Sequence, residues 1–263
     1  MSAVDIGLQR GQLEIKQFLR SREAVVFTVL FPVMLIVIFG SVFSQEIVPG
    51  VRFTQYFVTG MMASGLLAVG FQNLAIQIPI ERDRGVLKRL RGTPMPRAAY
   101  FFGKVIMVAA VGLVTTAVLL GVAIAFYGVD LPSTAQKWLT FAWVSVLGVT
   151  ACSLCGIAFS SLARTGRSAP AVVTPIALAL QFISGVFFVY TQLPAWMQQL
   201  AAIFPLKWMC QGMRSVFLPE SFASQEVAGS WELSRVALVL AAWCVGGLIL
   251  CLLTFRWTTK RDG

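Results

Sequence analysis

Long apolar runs alternate with short polar stretches along this chain of 263 residues. Six of the runs contain no Asp, Glu, Lys or Arg, and they cover residues 24–43, 56–78, 105–127, 138–162, 171–190 and 236–255. A helix needs about 20 residues to cross a hydrocarbon core about 30 Å thick. The pattern therefore predicts an all-α polytopic membrane protein with six transmembrane helices.

The polar lead before the first run has a helical pattern of its own. Apolar residues recur on one face at 100° per residue, namely Val4, Leu8, Ile15, Phe18 and Leu19. Such a helix can lie in the plane of the membrane at its interface with water. We therefore expect an N-terminal interfacial helix, and the alternative is an unstructured basic tail.

Three prolines divide the apolar stretch between the fifth and sixth runs. Pro194, Pro205 and Pro219 leave pieces that are too short to span a bilayer. Pro commonly occupies the first position of a helix. We expect two short re-entrant helices on the extracellular side, at residues 195–204 and 206–218, with a packed extracellular loop as the alternative.

Small residues recur at every fourth position of the fourth run, at Gly148, Cys152, Gly156 and Ser160. That spacing lets two helices approach each other closely in a membrane. It predicts a tight helix contact, although membrane helices are rich in small residues in any case.

Composition and charge favour a membrane protein over a nucleic-acid-binding protein. Charged residues make up only 12% of the chain, against about 25% in a typical soluble domain. Sixteen of the 21 Lys and Arg residues flank one side of the six runs, and five flank the other side. Because positively charged loops stay in the cytoplasm, we expect both termini to be cytoplasmic and no nucleic acid among the partners.

Several chemistries are missing from the sequence. It contains no histidine, no GxxxxGK[ST] phosphate loop, no GxSxG elbow and no HExxH metal motif. Four of the five cysteines lie within apolar runs, where Cys behaves as a small hydrophobe. The runs also lack a carboxylate that could bind a coupling ion. Uphill transport would therefore take its energy from a second protein that contacts the cytoplasmic face.

One third of the positive charge lies in the stretch between the second and third runs, ERDRGVLKRLRGTPMPRAAYFFGK, at residues 81–104. Residues 81–91 can form a short cytoplasmic helix. Glu81 and Asp83 would lie near its N-terminus and basic residues near its C-terminus, as the helix dipole favours. Thr93 and Pro94 would end it, since a residue before Pro avoids the helical conformation.

An apolar ridge distinguishes this helix from an ordinary basic loop. Val86, Leu87 and Leu90 share one side of it, beside Lys88 and Arg89. A ridge of this kind suits docking into a groove of another protein. The alternative is a basic loop that fixes topology and attracts anionic lipid, but charge alone would serve that purpose.

With these features the chain resembles the permeases of ABC-2 type transporters over essentially its whole length. The first motif consists of Glu81, Gly85, Leu87, Lys88, Arg89, Leu90, Thr93 and Pro94, and the second of Leu193, Pro194 and Trp196 followed by Pro205 and Arg214. The second motif is more similar to the drug-exporter branch, of the daunorubicin-resistance type, than to the polysaccharide exporters.

The resemblance implies that residues 1–263 form a single transmembrane domain without an ATPase site. Two permeases, identical or homologous, would pair, and two separate ATP-binding subunits would dock on them and bind ATP and Mg²⁺. The coupling helix would comprise Glu81, Gly85, Val86, Leu87, Lys88, Arg89, Leu90, Thr93 and Pro94. The expected location is the bacterial cytoplasmic membrane, in contact with lipid.

The activity implied by the resemblance is ATP-driven export of a small hydrophobic or amphipathic compound, such as a drug, an antibiotic or a lipid. Export of a lipid-linked polysaccharide or glycolipid is the alternative, and a stand-alone ion-coupled carrier is more remote. The second and fifth spans would line the route. Candidate positions on one helical face are Ser64, Ala68 and Gln72 in the second span, and Gln181, Ser184 and Phe188 in the fifth. Their polar groups could instead bond neighbouring helices.

Overall fold

The computed structural model describes residues 3–43, 45–93, 97–163 and 165–255, and these are almost entirely helical. The helices are α1 (Ala3–Arg20), α2 (Arg22–Val42), α3 (Phe53–Asp83), α4 (Val86–Arg91), α5 (Arg97–Tyr127), α6 (Ala135–Phe159), α7 (Ala169–Ile183), α8 (Ala195–Ile203), α9 (Pro205–Phe217) and α10 (Leu233–Thr254). A small antiparallel hairpin of β1 (Glu46–Val48) and β2 (Val51–Arg52), which the sequence pattern did not predict, joins α2 to α3.

Five of the described helices, α2, α3, α5, α6 and α10, are long and apolar enough to cross a membrane. The all-α polytopic fold is thereby confirmed, but the count of six spans is not. The fifth run holds α7, whose 15 residues extend for only about 22 Å. α7 ends at Ile183 because Gly185 has a φ of 77°, a left-handed conformation that a continuing helix cannot contain.

α3 is the central helix of the bundle. Buried residues make up 72% of its apolar stretch, against 44% or less in the other four long helices. It packs against α2, α5, α6 and α9, and its second half packs against α7. A helix that is apolar on all sides can be buried on all sides, in a protein core or in a membrane, and the apolar stretch of α3 meets that condition.

The predicted small-residue contact of the fourth run is confirmed in α6. A Cβ atom added at Gly156 would lie 2.7 Å from the carbonyl oxygen of Phe71 in α3, closer than real Cβ contacts. Gly148 lies in the same way against the side chain of Met209 in α9. The two glycines therefore let α6 approach the backbone of α3 and the side chains of α9.

α1 confirms the predicted helical lead, so an unstructured tail is wrong for the described residues. It packs along α5, where Gly11 allows close approach of the two helices. The predicted apolar face is divided, since Phe18 is buried against the bundle whereas Leu8 and Leu19 are exposed. The side chain of Val4 lies outside the described residues, and the position of α1 relative to a membrane stays a prediction.

The two short helices between the fifth and sixth runs occur where the prolines predict them. α8 covers Ala195–Ile203 and α9 covers Pro205–Phe217, each within one residue of the predicted bounds. Nearly every residue of α9 is buried, because it packs between α3 and α6. α9 is therefore part of the bundle, and its depth in a membrane stays a prediction.

Candidate docking site and transport route

The predicted short helix at residues 81–91 begins later than expected. α3 continues to Asp83, and α4 begins only at Val86. Gly85 separates the two helices with a φ of 68°, which glycine adopts without strain. The dipole argument for Glu81 and Asp83 is therefore wrong, because both carboxylates lie in the last turn of α3 and not in the first turn of α4.

Glu81 lies in a buried group of charges that connects three helices. Its carboxylate accepts hydrogen bonds from Tyr100 Oη at 2.8 Å and from Lys104 Nζ at 2.5 Å. The same ammonium donates to Glu14 of α1 at 2.8 Å, and Arg10 pairs with Glu14 at 2.5 Å. We refer to Arg10, Glu14, Glu81, Tyr100 and Lys104 as the ion cluster. Its formal charges sum to zero, so buried charge of each sign is compensated.

The last turn of α3 is also fixed to the connection between α6 and α7. The carboxylate of Asp83 accepts a hydrogen bond from the backbone N–H of Gly166 at 2.6 Å. Arg82 Nη1 donates to the carbonyl oxygen of Ser160 at 3.4 Å. Both side chains therefore hold the last turn of α3 against the connection between α6 and α7.

The apolar ridge of α4 is used inside the protein, which corrects its assignment as a docking ridge. Leu87 is 0% exposed and packs in a core cluster that includes Phe18 of α1 and Tyr100 of α5. Leu90 packs against the same cluster, and Val86 is half-buried. The reason is that α4 turns back towards α1 and α5 after Gly85, so its apolar side meets their side chains.

The surface that α4 presents to its surroundings is basic. Lys88 and Arg89 are exposed, as are Arg84 before the helix and Thr93 after it. Pro94 lies outside the described residues. This basic face, which we define as Arg84, Lys88 and Arg89, can contact an acidic surface of another protein.

The six candidate route positions occupy different environments. Ser64, Gln181 and Ser184 are buried, whereas Ala68 and Gln72 are half-buried. Phe188 is 52% exposed. α7 ends before Ser184 and Phe188 are reached, so their predicted helical spacing from Gln181 is wrong.

The structure does bring the second and fifth apolar runs together. Beyond α7 the chain crosses α3 at Gly60, where an added Cβ atom would lie 2.9 Å from the Cα atom of Val186. The hydroxyl of Ser184, close to this crossing, is buried without a hydrogen-bond partner among the described residues. The crossing is therefore closely packed in the single chain.

Aromatic side chains continue from this crossing towards the surface. Phe187 lies 6.2 Å from Phe57 of α3 and 4.8 Å from Phe182 of α7, measured between ring centroids. Phe39 of α2 stacks on Phe57 at 4.8 Å. Phe182 and Phe188 expose about half of their surface, so the aromatic cluster offers an apolar surface at its edge.

Sequence reasoning missed a buried charged pair at the opposite end of α3 from α4. Arg214 was noted only within the predicted short helix and the second motif, and Glu226 was not singled out, but the arginine is 0% exposed and the two side chains pair at 2.6 Å. A signal was present, because Lys207, Gln211 and Arg214 recur at helical spacing in an otherwise apolar piece. All three are buried in α9.

Candidate sites for a metal ion are absent from the described residues, since no group of three His, Cys, Asp or Glu side chains could hold one. Binding of ATP and Mg²⁺ by a partner is not tested by this geometry and stays a prediction.

Five long apolar helices, arranged around a buried central helix, indicate a multi-pass membrane protein, and comparison with known families specifies its class. The ABC-2 type transporter family model matches residues 11–218, from within α1 to the end of α9. The chain belongs to the ABC-2 type transporter family. It is therefore a membrane subunit of a transporter, and membership implies an ATP-binding partner and no ATPase activity of its own.

Particular relatives are found among enterobacterial proteins. The inner membrane transport permease YadH of Escherichia coli K12 is 26% identical over 212 residues, which cover 78% of this chain and 80% of the relative. The proteins of the same name from Escherichia coli O157:H7 and Shigella flexneri match to the same extent. The similarity extends over most of both chains.

Proposed function

We propose that this chain is the permease of an ATP-driven exporter in the bacterial inner membrane, with both termini in the cytoplasm. It moves a hydrophobic or amphipathic compound, and pairs with a second permease, identical or homologous. Two ATP-binding subunits supply the energy and hold ATP and Mg²⁺. The drug-exporter branch of the family is the one its second motif favours.

The observation that carries the proposal is the connection of the basic face to the central helix. Gly85 places α4 directly after α3, and the buried Leu87 holds α4 against the bundle. The ion cluster fixes the adjoining end of α3 to α1 and α5. A movement of a protein bound to Lys88 and Arg89 is therefore transmitted to α3.

The aromatic cluster supports an apolar cargo. The surface offered by Phe182 and Phe188 adjoins the crossing of α3 with the chain after α7. Aromatic rings contribute large apolar contact areas, which suit a hydrophobic compound better than a hydrated glycan. Export of a lipid-linked glycan stays the alternative within the family.

Charge reversal on the basic face tests the proposal. Arg89→Glu should weaken capture of the co-expressed ATP-binding subunit about fivefold to tenfold, because a like-charged residue in an interface opposes an electrostatically matched partner. Arg52→Glu, an equal change of charge at an exposed position at the other end of α3, is the matched control. Equal capture by both variants would contradict docking at α4.

Transport by reconstituted vesicles then distinguishes the cargoes. The purified permease with its ATP-binding subunit should accumulate a lipophilic cationic dye in inside-out vesicles when ATP is added, and not without ATP. Movement of a lipid-linked glycan but of no dye would favour the alternative. Transport by the permease alone would overturn the proposal.

A further inference from the structure

A buried ion pair lies at the outer end of the bundle, the end of α3 that is opposite α4. Arg214 of α9 is 0% exposed, and its Nε donates to Glu226 Oε1 at 2.6 Å. Its Nη1 is buried without a partner among the described residues. A buried ion pair is weak evidence for stability, because loss of hydration opposes the attraction of the charges. The pair therefore needs an explanation other than the stability of the fold.

The guanidinium group of Arg214 contacts one aromatic ring of the central helix. Its Cζ atom lies 4.9 Å from the ring centroid of Tyr56, in the first turn of α3. The ring of Phe222 lies 5.8 Å from the same ring. Tyr56 is 1% exposed, so these neighbours leave its ring little freedom to turn.

The hydroxyl of Tyr56 joins α3 to the chain that follows α7. It accepts a hydrogen bond from the backbone N–H of Tyr190 at 3.0 Å. It also lies beside Gly185, where an added Cβ atom would be 3.0 Å from it. One turn further along α3, the backbone of Val186 packs against Gly60. The phenol therefore holds residues 184–190 against α3 at the point where the two runs cross.

α3 connects this contact to α4, where the proposed docking surface lies. Its 31 residues correspond to a length of about 46 Å. Phe53 begins it at the outer end, and Asp83 ends it next to α4. A displacement of α3 that starts at its α4 end therefore acts on the hydrogen bond between Tyr56 and Tyr190.

We infer that Tyr56, Tyr190, Arg214 and Glu226 form an outer latch, which closes the outer end of the transport route. Tyr56 makes the closing contact, and Arg214 is a positioning residue that holds the Tyr56 ring and is itself oriented by Glu226. This inference rests on the proposed function for what the latch closes. The latch itself is a property of the chain and can be tested without ATP.

Accessibility of a buried position in the crossing measures opening of the latch. Val186 is 0% exposed, so the thiol introduced by Val186→Cys should react with a maleimide only when the crossing opens. The full-length permease is placed in lipid nanodiscs, where the reagent reaches both faces. Labelling of residue 186 is read by peptide mass spectrometry, which separates it from the native cysteines.

Tyr56→Phe keeps the ring and removes the hydrogen-bond acceptor. Labelling should become about threefold to tenfold faster, the factor that one hydrogen bond contributes. Tyr127→Phe is the matched control, because Tyr127 also uses its hydroxyl for one backbone hydrogen bond, to Val37 at 3.1 Å. Equal labelling rates in the two variants would overturn the latch.

The positioning role of Arg214 is tested in a double variant that replaces both Arg214 and its charge partner Glu226. Arg214→Met combined with Glu226→Met leaves no unpaired buried charge, so the fold should be retained. Labelling should rise to the Tyr56→Phe rate, and adding Tyr56→Phe should cause no further increase. Labelling at the unaltered rate, with only a lower melting temperature, would show that Arg214 acts in stability alone. Tyr56→Phe decides the latch if this double variant does not fold.

The link to the partner is a separate arm of the experiment. Adding the ATP-binding subunit and ATP should accelerate labelling when Tyr56 is intact, and less so in Tyr56→Phe. A faster Tyr56→Phe rate without any effect of ATP would support the latch and contradict the proposed function. The two failures are therefore distinguishable.

Discussion

Lys104 is a buried cation that joins α1, α3 and α5 near the end of α3 that precedes α4. Its side chain is 1% exposed, and its ammonium group donates to Glu14 of α1 and to Glu81 of α3. Lys104→Met keeps a side chain of similar length and removes the charge. Glu14 would then keep only Arg10 as a cationic partner, and Glu81 would lose its ammonium partner. We therefore expect a loss of stability at this junction.

The magnitude follows from the burial of the cluster. Breaking a buried ion pair by removing one partner costs about 3–5 kcal/mol, because an uncompensated charge is left behind. At roughly 2–4 °C per kcal/mol for a chain of this size, the melting temperature should fall by about 6–20 °C. Lys104→Met combined with Glu81→Gln removes one charge of each sign, and Tyr100 can still donate to the amide oxygen. This double variant should regain at least half of the loss.

Thermal unfolding of the purified protein in nanodiscs, followed by tryptophan fluorescence, measures these differences. The control is Lys137→Met. Lys137 is half-buried and donates to the carbonyl oxygen of Leu218 at 3.5 Å, but it is not part of the ion cluster. Its melting temperature should change by less than about 3 °C. A Lys104→Met variant as stable as this control, or a double variant less stable than the single one, would refute the reasoning.

Two further predictions concern single positions. Gly85→Ala should destabilise the protein by about 1–2 kcal/mol, because its φ of 68° is strained for other residues, and should reduce ATP-dependent transport. Gly92→Ala, at a φ of −79°, should leave both thermal unfolding and transport unchanged, and equal effects would contradict a role for the α3–α4 junction. Burial lowers the pKa of Lys207 from 10.5 to about 8. The unfolded chain then binds more protons than the folded one between these values, so stability rises with pH there. Between about pH 7.5 and about pH 9.5 the melting temperature should rise more in the wild type than in Lys207→Met. Equal changes in the two proteins would contradict the lowered pKa of Lys207.

Local signals predicted α8 and α9 well. Pro194 and Pro205 begin helices because a missing N–H is tolerated in the first turn, and the observed bounds agree within one residue. A different local signal, the length of the apolar run, failed at α7. The apolar run continues to residue 190, but Gly185 adopts a left-handed conformation and ends the helix early. Apolarity alone did not reveal that conformation.

The basic stretch shows a different limit of sequence reasoning. Its charges and its ridge were both recognised, and the prediction of a helix after the second run was correct in kind. Which side of that helix faces inward was not predictable, because Leu87 meets Phe18 and Tyr100, which come from other helices. Leu87 is therefore not available for docking, and the exposed residues of this helix are basic.

The sequence by itself determined the membrane class and the approximate positions of most apolar helices, because these depend on composition and local pattern, and its family motifs implied a partner that binds ATP. Only the tertiary structure decided which charges are buried together. Glu14 and Lys104 are 90 residues apart, and Tyr56 and Tyr190 are 134 apart. Contacts over such separations depend on how the helices pack, and local periodicity carries no information about them. They are also the contacts that connect the two ends of α3 to the rest of the protein.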